Sequence, residues 1–182
     1  MPLDHGNHSR NVKAMLNDGN GWSAGPNGLR LWGRFGAAGL LAFTRDGRVL
    51  MQHRADWTSQ PLTWGLPGGA RDSHESAEET ALRESFEETG ITGADVTVLH
   101  EEVTSGPFPE DSDRPDLSGN WTYSTVYAFT EDPVDTIPNE ESLALVWTPI
   151  AEIEALELHP GFRMSWENGV RQTLERLLDE QS

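Results

Sequence analysis

The sequence predicts a mixed α/β fold built as a single domain. Apolar runs of strand length alternate with turn signals, and two helical patterns, one central and one near the C-terminus, are interleaved with them. The chain of 182 residues is long enough to bury a core of ordinary size. It contains no cysteine, so disulfide frameworks, cysteine zinc sites and thiol nucleophiles are excluded.

The N-terminal 34 residues are polar and rich in Gly and Asn. They predict an arm with little regular structure, packed onto the domain through Trp22 and Trp32. The division expected is therefore an arm at 1–34 and a domain at 35–182.

A β-hairpin opens the domain. The runs AAGLLAFT (37–44) and VLMQHR (49–54) flank an Asp-Gly turn signal, which is typical of two antiparallel strands. A short strand near 63–66 precedes a Pro-Gly-Gly turn.

The central helix is predicted at 77–89. Ser76 and Glu79 form a capping box, and Gly90 stands where a helix-ending glycine belongs. The side expected to face the core carries Leu82, Phe86 and Thr89, beside a stripe of Ala77, Ala81 and Ser85.

The rest of the chain alternates strands with acidic loops. Strands are predicted at 96–105, 121–130 and 142–150, loops at 107–120 and 131–141, a short helix or turn from 151, and an amphipathic C-terminal helix at 161–178.

The formal net charge is −17, from 13 basic and 30 acidic residues. A nucleic-acid polymer needs a basic surface, so we expect no such partner. No apolar stretch is long enough to cross a membrane and no secretory leader is evident. Together with the absence of cysteine, these features predict a cytoplasmic protein that does not associate with membranes.

Three glutamates in the central helix point to metal chemistry. Glu84, Glu87 and Glu88 are spaced i, i+3 and i+4, which places their carboxylates on one helix face. Such a cluster repels itself unless cations neutralise it, although an acidic solvated face would show the same pattern. Oxygen-only ligands favour Mg²⁺ or Mn²⁺ over zinc.

A longer spacing carries a family resemblance. Gly69, Glu75, Arg83, Glu84, Glu87, Glu88 and Gly90 occupy every fixed position of the signature G-x5-E-x7-R-E-U-x-E-E-x-G-U, over residues 69–91. The chain therefore resembles the Nudix hydrolases over about residues 36–178, and residues 69–91 correspond to the family's Nudix box, called the box below. Ser85 departs from the aliphatic residue usual at its position. The resemblance implies an α/β/α sandwich with a mixed sheet, the box helix at about 77–89 and a C-terminal helix.

The resemblance also implies a function. Nudix enzymes hydrolyse diphosphate bonds in nucleoside diphosphates linked to another group, using Mg²⁺ or Mn²⁺. By position, the metal ligands would be Gly69, Glu75, Glu84, Glu87 and Glu88. The catalytic set would comprise Glu84, Glu87, Glu88 and Arg83, with Arg83 holding the glutamates in place.

The general base and the substrate contacts stay open on sequence alone. Candidates for the base are Glu84, Asp111, Asp113, Glu140 and Glu141. Candidates for substrate binding are Arg54, Trp57, Arg71 and Tyr123, because arginines receive phosphate and aromatic rings stack on bases. Pro107 lies at a position where ADP-ribose-cleaving relatives often carry proline, although it also suits an ordinary proline-rich loop.

The sequence thus predicts a Mg²⁺-dependent pyrophosphohydrolase acting on a small nucleotide. A nucleotide sugar such as ADP-ribose is slightly favoured over a nucleoside triphosphate, and a homodimer is compatible with the resemblance. The alternative is a catalytically silent module that senses a nucleotide. Such modules usually lose box glutamates, and this chain keeps all of them.

Overall fold

A computed structural model describes residues 17–182 of the chain. The strands are β1 (Trp22–Ala24), β2 (Arg30–Trp32), β3 (Ala37–Thr44), β4 (Arg48–Arg54), β5 (Trp64–Gly65), β6 (Gly68–Ala70), β7 (Thr97–Phe108), β8 (Trp121–Thr130) and β9 (Ser142–Pro149). The helices are α1 (Ala77–Thr89), α2 (Ile150–Ile153), α3 (Pro160–Ser165) and α4 (Arg171–Glu180). Among these residues, no helix combines the length and apolarity that crossing a bilayer requires.

The main sheet is mixed, with β3 near its centre. β3 pairs in parallel with β8 and antiparallel with β4 and β6, while β4 also pairs with β5 and β9, and β8 with β7. In the β3–β8 register Ala37 lies opposite Tyr123, and in the β3–β6 register Ala38 lies opposite Gly69. The Gly-Gly turn and the start of β8 therefore meet at one end of β3.

Each face of the sheet is covered by helices. Along β3, Leu41 and Phe43 belong to a buried cluster with residues of the C-terminal helices. Leu40 and Ala42, which point the other way because side chains alternate along a strand, belong to a second cluster with Ala81 of α1. This arrangement confirms the predicted α/β/α sandwich.

Helix α1 begins and ends as predicted. The Ser76 side chain accepts a hydrogen bond from the Glu79 N–H, and Gly90 adopts φ 80°, in the left-handed region. The buried positions of α1 are Thr80, Ala81, Ser85, Glu88 and Thr89. The prediction that Phe86 faces the core is wrong, because its side chain is 58% exposed. Small side chains meet the sheet instead and let the helix approach it closely.

The described part of the arm contains regular structure that the sequence did not indicate. β1 and β2 form a hairpin in which Trp22 pairs with Trp32, with ring centroids 5.0 Å apart. The Trp121 indole N–H donates to the Trp32 carbonyl at 3.1 Å, which joins the hairpin to β8. Residues 1–16 of the predicted arm lie outside the described residues.

The C-terminal helical region is interrupted rather than continuous. A π-helical turn at Trp166–Val170 separates α3 from α4. Within it Gly169 adopts φ 143°, which is not helical. The sequence prediction of one helix over 161–178 therefore has the right location but misses this break, whose signal was Gly169 itself.

Candidate active site

The three box glutamates of α1 lie at different depths. Glu88 is buried at 4% exposure, the Glu84 side chain is 16% exposed, and that of Glu87 is 53% exposed. The helix therefore presents the Glu88 carboxylate deep against the sheet, that of Glu84 at intermediate depth and that of Glu87 at the surface.

The turn before β6 provides close backbone contacts for these carboxylates. The Gly68 N–H donates to Glu88 Oε2 at 3.0 Å. A Cβ on Gly69 would lie 2.5 Å from Glu84 Cδ, so any other residue at this position would displace the Glu84 carboxylate. Glycine at 69 thus lets the backbone lie against the Glu84 carboxylate without moving it.

Gln52 is a site residue that sequence reasoning missed. Its side-chain N–H donates to Glu88 Oε2 at 3.3 Å and to Ser142 Oγ at 2.8 Å, and Gln52 is buried. The signal available was a lone amide within the apolar strand VLMQHR, since a buried polar side chain needs a partner.

The buried Glu75 and the half-buried Arg83 form an ion pair beside the glutamates, here called the anchor. Arg83 Nε donates to Glu75 Oε2 at 2.7 Å, and Arg83 Nη2 to Glu75 Oε1 at 2.8 Å. Arg83 also reaches Glu84 Oε1 at 2.9 Å. Burial raises the pKa of Glu75, but hydrogen bonds from Arg83 and from the Asp72 N–H outweigh it, and the net pKa is lowered.

The pKa values of the two deeper box carboxyls shift the opposite way. Burial raises the pKa of Glu84 to about 7, although Arg83 opposes the shift. Burial, and then a hydrogen bond with the Glu141 carboxyl, raise the pKa of Glu88 well above its ordinary value. A cation bound between these carboxylates would remove the repulsion and burial cost that raise the Glu88 pKa.

The donor set fits a hard divalent cation. It offers only oxygen ligands, from Glu84, Glu87 and Glu88, with Glu141 adjacent and the Gly69 backbone against Glu84. Glu75 fits less well as a direct ligand, because Arg83 and the Asp72 N–H already engage its oxygens.

A second acidic group lies at the arm. Asp18, Asp72 and His74 place one potential ligand atom each within 4.8 Å of one another. Both oxygens of Asp72 accept backbone N–H groups of the arm, and Asp18 accepts hydrogen bonds from Ser73. We therefore assign this group to attachment of the arm rather than to metal binding.

The acids proposed from loops as general bases lie in different surroundings. Glu141 lies beside Glu88, whereas Glu140 is exposed and its carbonyl accepts the Trp57 indole N–H at 3.1 Å. Asp111 pairs with Arg114 at 2.8 Å and accepts the Asp113 N–H at 2.9 Å. That loop is attached to the arm, since Arg114 also donates to the carbonyls of Gly28 and Leu29. Of the loop acids, the structure brings Glu141 to the box.

The substrate-binding candidates also divide. Arg54 lies near the carboxylates of Glu88 and Glu141 and near Tyr123, with two of its nitrogens bonded to the Ser59 carbonyl. Trp57 is 63% exposed on the adjacent loop. Arg71 instead donates to the Glu75 carbonyl at 2.6 Å, so it supports the loop of the box.

Tyr123 lies against β3, near the Glu88 carboxylate. Its hydroxyl lies directly over Gly39, where a Cβ would stand only 3.0 Å from the Pro67 carbonyl. Burial and the neighbouring Glu88 carboxylate raise the Tyr123 pKa, so the phenol stays protonated and can donate.

Comparisons with known proteins place this geometry in a family. The NUDIX domain model matches residues 33–165. A protein of Mycobacterium tuberculosis described as "Putative 8-oxo-dGTP diphosphatase 3" is 48% identical over 154 residues, covering 82% of this chain and 68% of that protein. A Bifidobacterium longum nucleoside triphosphate pyrophosphatase/Nudix hydrolase fusion protein is 38% identical over 165 residues, covering 85% of this chain and 32% of that protein.

Solved structures agree with the sequence comparison. The crystal structure of a Nudix hydrolase from M. smegmatis, RenU, superimposes with a TM-score of 0.75 at 42% identity, covering 87% of this chain and 96% of that one. The family model spans well over half of the chain and matches the box whose geometry is described above. The chain therefore belongs to the Nudix hydrolase family and is a hydrolase of phosphoric anhydrides.

Proposed function

We propose that the chain is a Mg²⁺- or Mn²⁺-dependent pyrophosphohydrolase of a nucleoside triphosphate, with an oxidised purine nucleotide such as 8-oxo-dGTP as the first substrate to test. The position of Glu84 and Glu88 at the Gly68-Gly69 turn, with Glu141 beside Glu88, carries the proposal. The mycobacterial relative, similar over most of both chains, supports the choice of substrate.

The carboxylates alone would repel an anionic substrate. A divalent cation, when bound, supplies charge neutralisation of the phosphates and makes water more acidic. The protein's own contribution is to hold Glu84 and Glu88 in fixed positions, through Arg83 on one side and through Gly68 and Gln52 on the other.

We assign the general base to Glu141. Its carboxyl stands beside Glu88, its backbone carbonyl accepts the Ala55 N–H at 2.9 Å, and its own N–H donates to Asn139 Oδ1 at 2.9 Å. A carboxylate held this way can take the proton of an attacking water.

Arg54 and Tyr123 are assigned to the substrate. Arg54 is a cation beside the carboxylates, where phosphate oxygens would arrive, and Tyr123 offers a hydroxyl donor at the same end of the sheet. Trp57, exposed on the loop next to Glu140, offers a ring for stacking on a base.

A nucleotide sugar such as ADP-ribose is the second candidate. The observation in its favour is Pro107, sixteen residues after Ile91. That single position weighs less than an identity of 48% over 154 residues.

The test is a hydrolysis screen of 8-oxo-dGTP, dGTP, ADP-ribose, dinucleoside polyphosphates and coenzyme A, with and without Mg²⁺. Glu87→Gln alters the metal face, by which we mean the carboxylates of Glu84, Glu87 and Glu88 on α1. Its matched control is Glu78→Gln, at an exposed acid in the first turn of the same helix. We expect metal-dependent release of pyrophosphate from 8-oxo-dGTP, loss in Glu87→Gln and full activity in Glu78→Gln.

Other outcomes of the screen have definite meanings. Faster cleavage of ADP-ribose than of 8-oxo-dGTP would overturn the substrate choice. Tight binding of a nucleotide with no cleavage of any compound would favour the sensing module.

A further inference from the structure

A buried carboxylate attaches the arm to the box loop, residues 71–76 between β6 and α1. Asp72, which is 4% exposed, accepts the Asn17 N–H at 3.0 Å through one oxygen and the Gly19 N–H at 2.9 Å through the other. A Cβ on Gly19 would lie 2.0 Å from the Arg71 carbonyl oxygen. The two backbones are thus in direct contact, and only glycine fits there.

The attachment is reinforced on both sides of Asp72. The Ser73 N–H donates to Asp18 Oδ1 at 2.8 Å, and the Arg34 N–H donates to the Gly19 carbonyl at 2.8 Å. The segment at 17–19 is therefore fixed to the box loop and to the strand pair that precedes β3.

Asp72 also contacts Glu75, the partner of Arg83 in the box. Its own N–H donates to Glu75 Oε1 at 3.0 Å, and the same oxygen accepts Arg83 Nη2 at 2.8 Å. Arg83 in turn donates to Glu84 Oε1 at 2.9 Å. A continuous series of hydrogen bonds runs from the arm backbone through Asp72, Glu75 and Arg83 to Glu84.

We propose that Asp72 is a positioning residue that uses the arm to fix Glu84, and that the segment 17–19 is therefore a working part of the metal site. The proposal rests on the proposed function, since it takes Glu84 to be a metal ligand. Asp72 acts here through its neighbours and touches neither the cation nor the substrate.

The experiment measures Mn²⁺ affinity and stoichiometry without nucleotide, by electron paramagnetic resonance, in the full chain. Asp72→Asn keeps the shape but can accept at only one side-chain atom. Ser73→Ala is a milder variant, because Ser73 is exposed and loses only the hydroxyl contact with Asp18. Arg114→Ala is the matched control, since it frees the other end of the arm, at Gly25 and Leu29, without touching the box.

We expect Asp72→Asn to weaken Mn²⁺ binding by about tenfold at unchanged stoichiometry, as removal of supporting hydrogen bonds around a metal site does. Ser73→Ala should show a smaller loss of Mn²⁺ affinity. In hydrolysis assays of both variants, kcat should fall more than KM rises. Arg114→Ala should lower the melting temperature while leaving Mn²⁺ affinity within about twofold of wild type. Excess Mg²⁺ should restore part of the kcat of Asp72→Asn.

Two further variants separate positioning from direct ligation. In an Arg83→Ala background, Asp72→Asn should have little additional effect on Mn²⁺ affinity, because the connection to Glu84 is already broken. His74→Ala should leave affinity unchanged. A loss in His74→Ala equal to that in Asp72→Asn would instead make Asp72 a metal ligand and overturn the proposal.

The proposal is also overturned if folded Asp72→Asn and Ser73→Ala both bind Mn²⁺ and turn over substrate as wild type does. If wild type cleaves no nucleotide but Mn²⁺ affinity still depends on Asp72 through Arg83, the proposed function fails while the positioning role stands.

Discussion

Glu75 and Glu88 are two buried carboxylates of one motif with opposite surroundings. Glu75 is held by the Arg83 guanidinium at 2.7 and 2.8 Å, and its pKa is lowered. Glu88 contacts Gly68, Gln52 and the Glu141 carboxyl, and its pKa is raised. The comparison indicates which acid already has its positive partner and which one is arranged to receive a cation.

The largest effect on activity is expected from substitution of Glu88, the carboxylate without a cationic partner. Glu88→Gln should lower kcat/KM by about a thousandfold or more, because it removes an anionic ligand of the cation that neutralises the reacting phosphates. Glu75→Gln should cost about 10- to 100-fold, since it disturbs Arg83 and only indirectly Glu84. Steady-state hydrolysis of the best substrate measures both, and equal losses would remove the distinction between the two glutamates.

The anchor is expected to dominate stability instead. Arg83→Ala leaves the buried Glu75 carboxylate without its partner and should lower the free energy of unfolding by about 2–4 kcal/mol. The double variant Arg83→Ala with Glu75→Gln should recover part of that loss, because the unpaired charge is gone. Urea denaturation of metal-free protein provides the values, and no recovery in the double variant would argue against Glu75 as the partner.

The pH dependence of metal-free stability should follow the site carboxyls. The Glu84 pKa is raised from 4.5 to about 7, so the folded state holds a proton that the unfolded chain releases. This contribution to stability is fully present below about pH 4.5 and is lost as pH rises through 7. Mg²⁺ should therefore raise the melting temperature more at pH 8 than at pH 6. Thermal scans with and without Mg²⁺ test this, and an equal gain at both values would contradict it.

The smallest effect is expected on the outer face of α1. Phe86→Ala should change the free energy of unfolding by less than about 1 kcal/mol, because the ring is 58% exposed. Ala81→Leu, at a fully buried position against the sheet, should cost about 1–3 kcal/mol through overpacking. Chemical denaturation compares the two variants. A larger loss of unfolding free energy in Phe86→Ala than in Ala81→Leu would support the prediction that Phe86 faces the core.

The ends of α1 could be predicted from the sequence, but the side of the helix that packs against the sheet could not. Ser76 and Gly90 marked the helix ends correctly, because capping chemistry is local. The 3.6-residue period indicated a stripe but could not say whether Phe86 or the small residues beside it would meet the sheet. Trp22 and Trp32 were visible, but their pairing across a hairpin depends on a contact between residues distant in sequence.

Part of the metal face could be predicted from the sequence, because its three glutamates are close to one another along the chain. Glu84, Glu87 and Glu88 share one helix, so their spacing alone placed them together. Gln52 and Glu141 come from strand β4 and from the loop before β9, and only the sheet brings them to Glu88. The Asp72 attachment depends on where the arm folds back, which the spacing within the box does not encode.

Direct Mn²⁺ binding to wild type, Glu88→Gln and Glu75→Gln tests the central claim, that the box holds a metal face and a separate anchor. We predict that Glu88→Gln weakens Mn²⁺ binding by about a hundredfold or removes an ion from the stoichiometry, and that Glu75→Gln keeps the stoichiometry with a loss of about tenfold. Retained affinity in Glu88→Gln together with lost binding in Glu75→Gln would contradict the account.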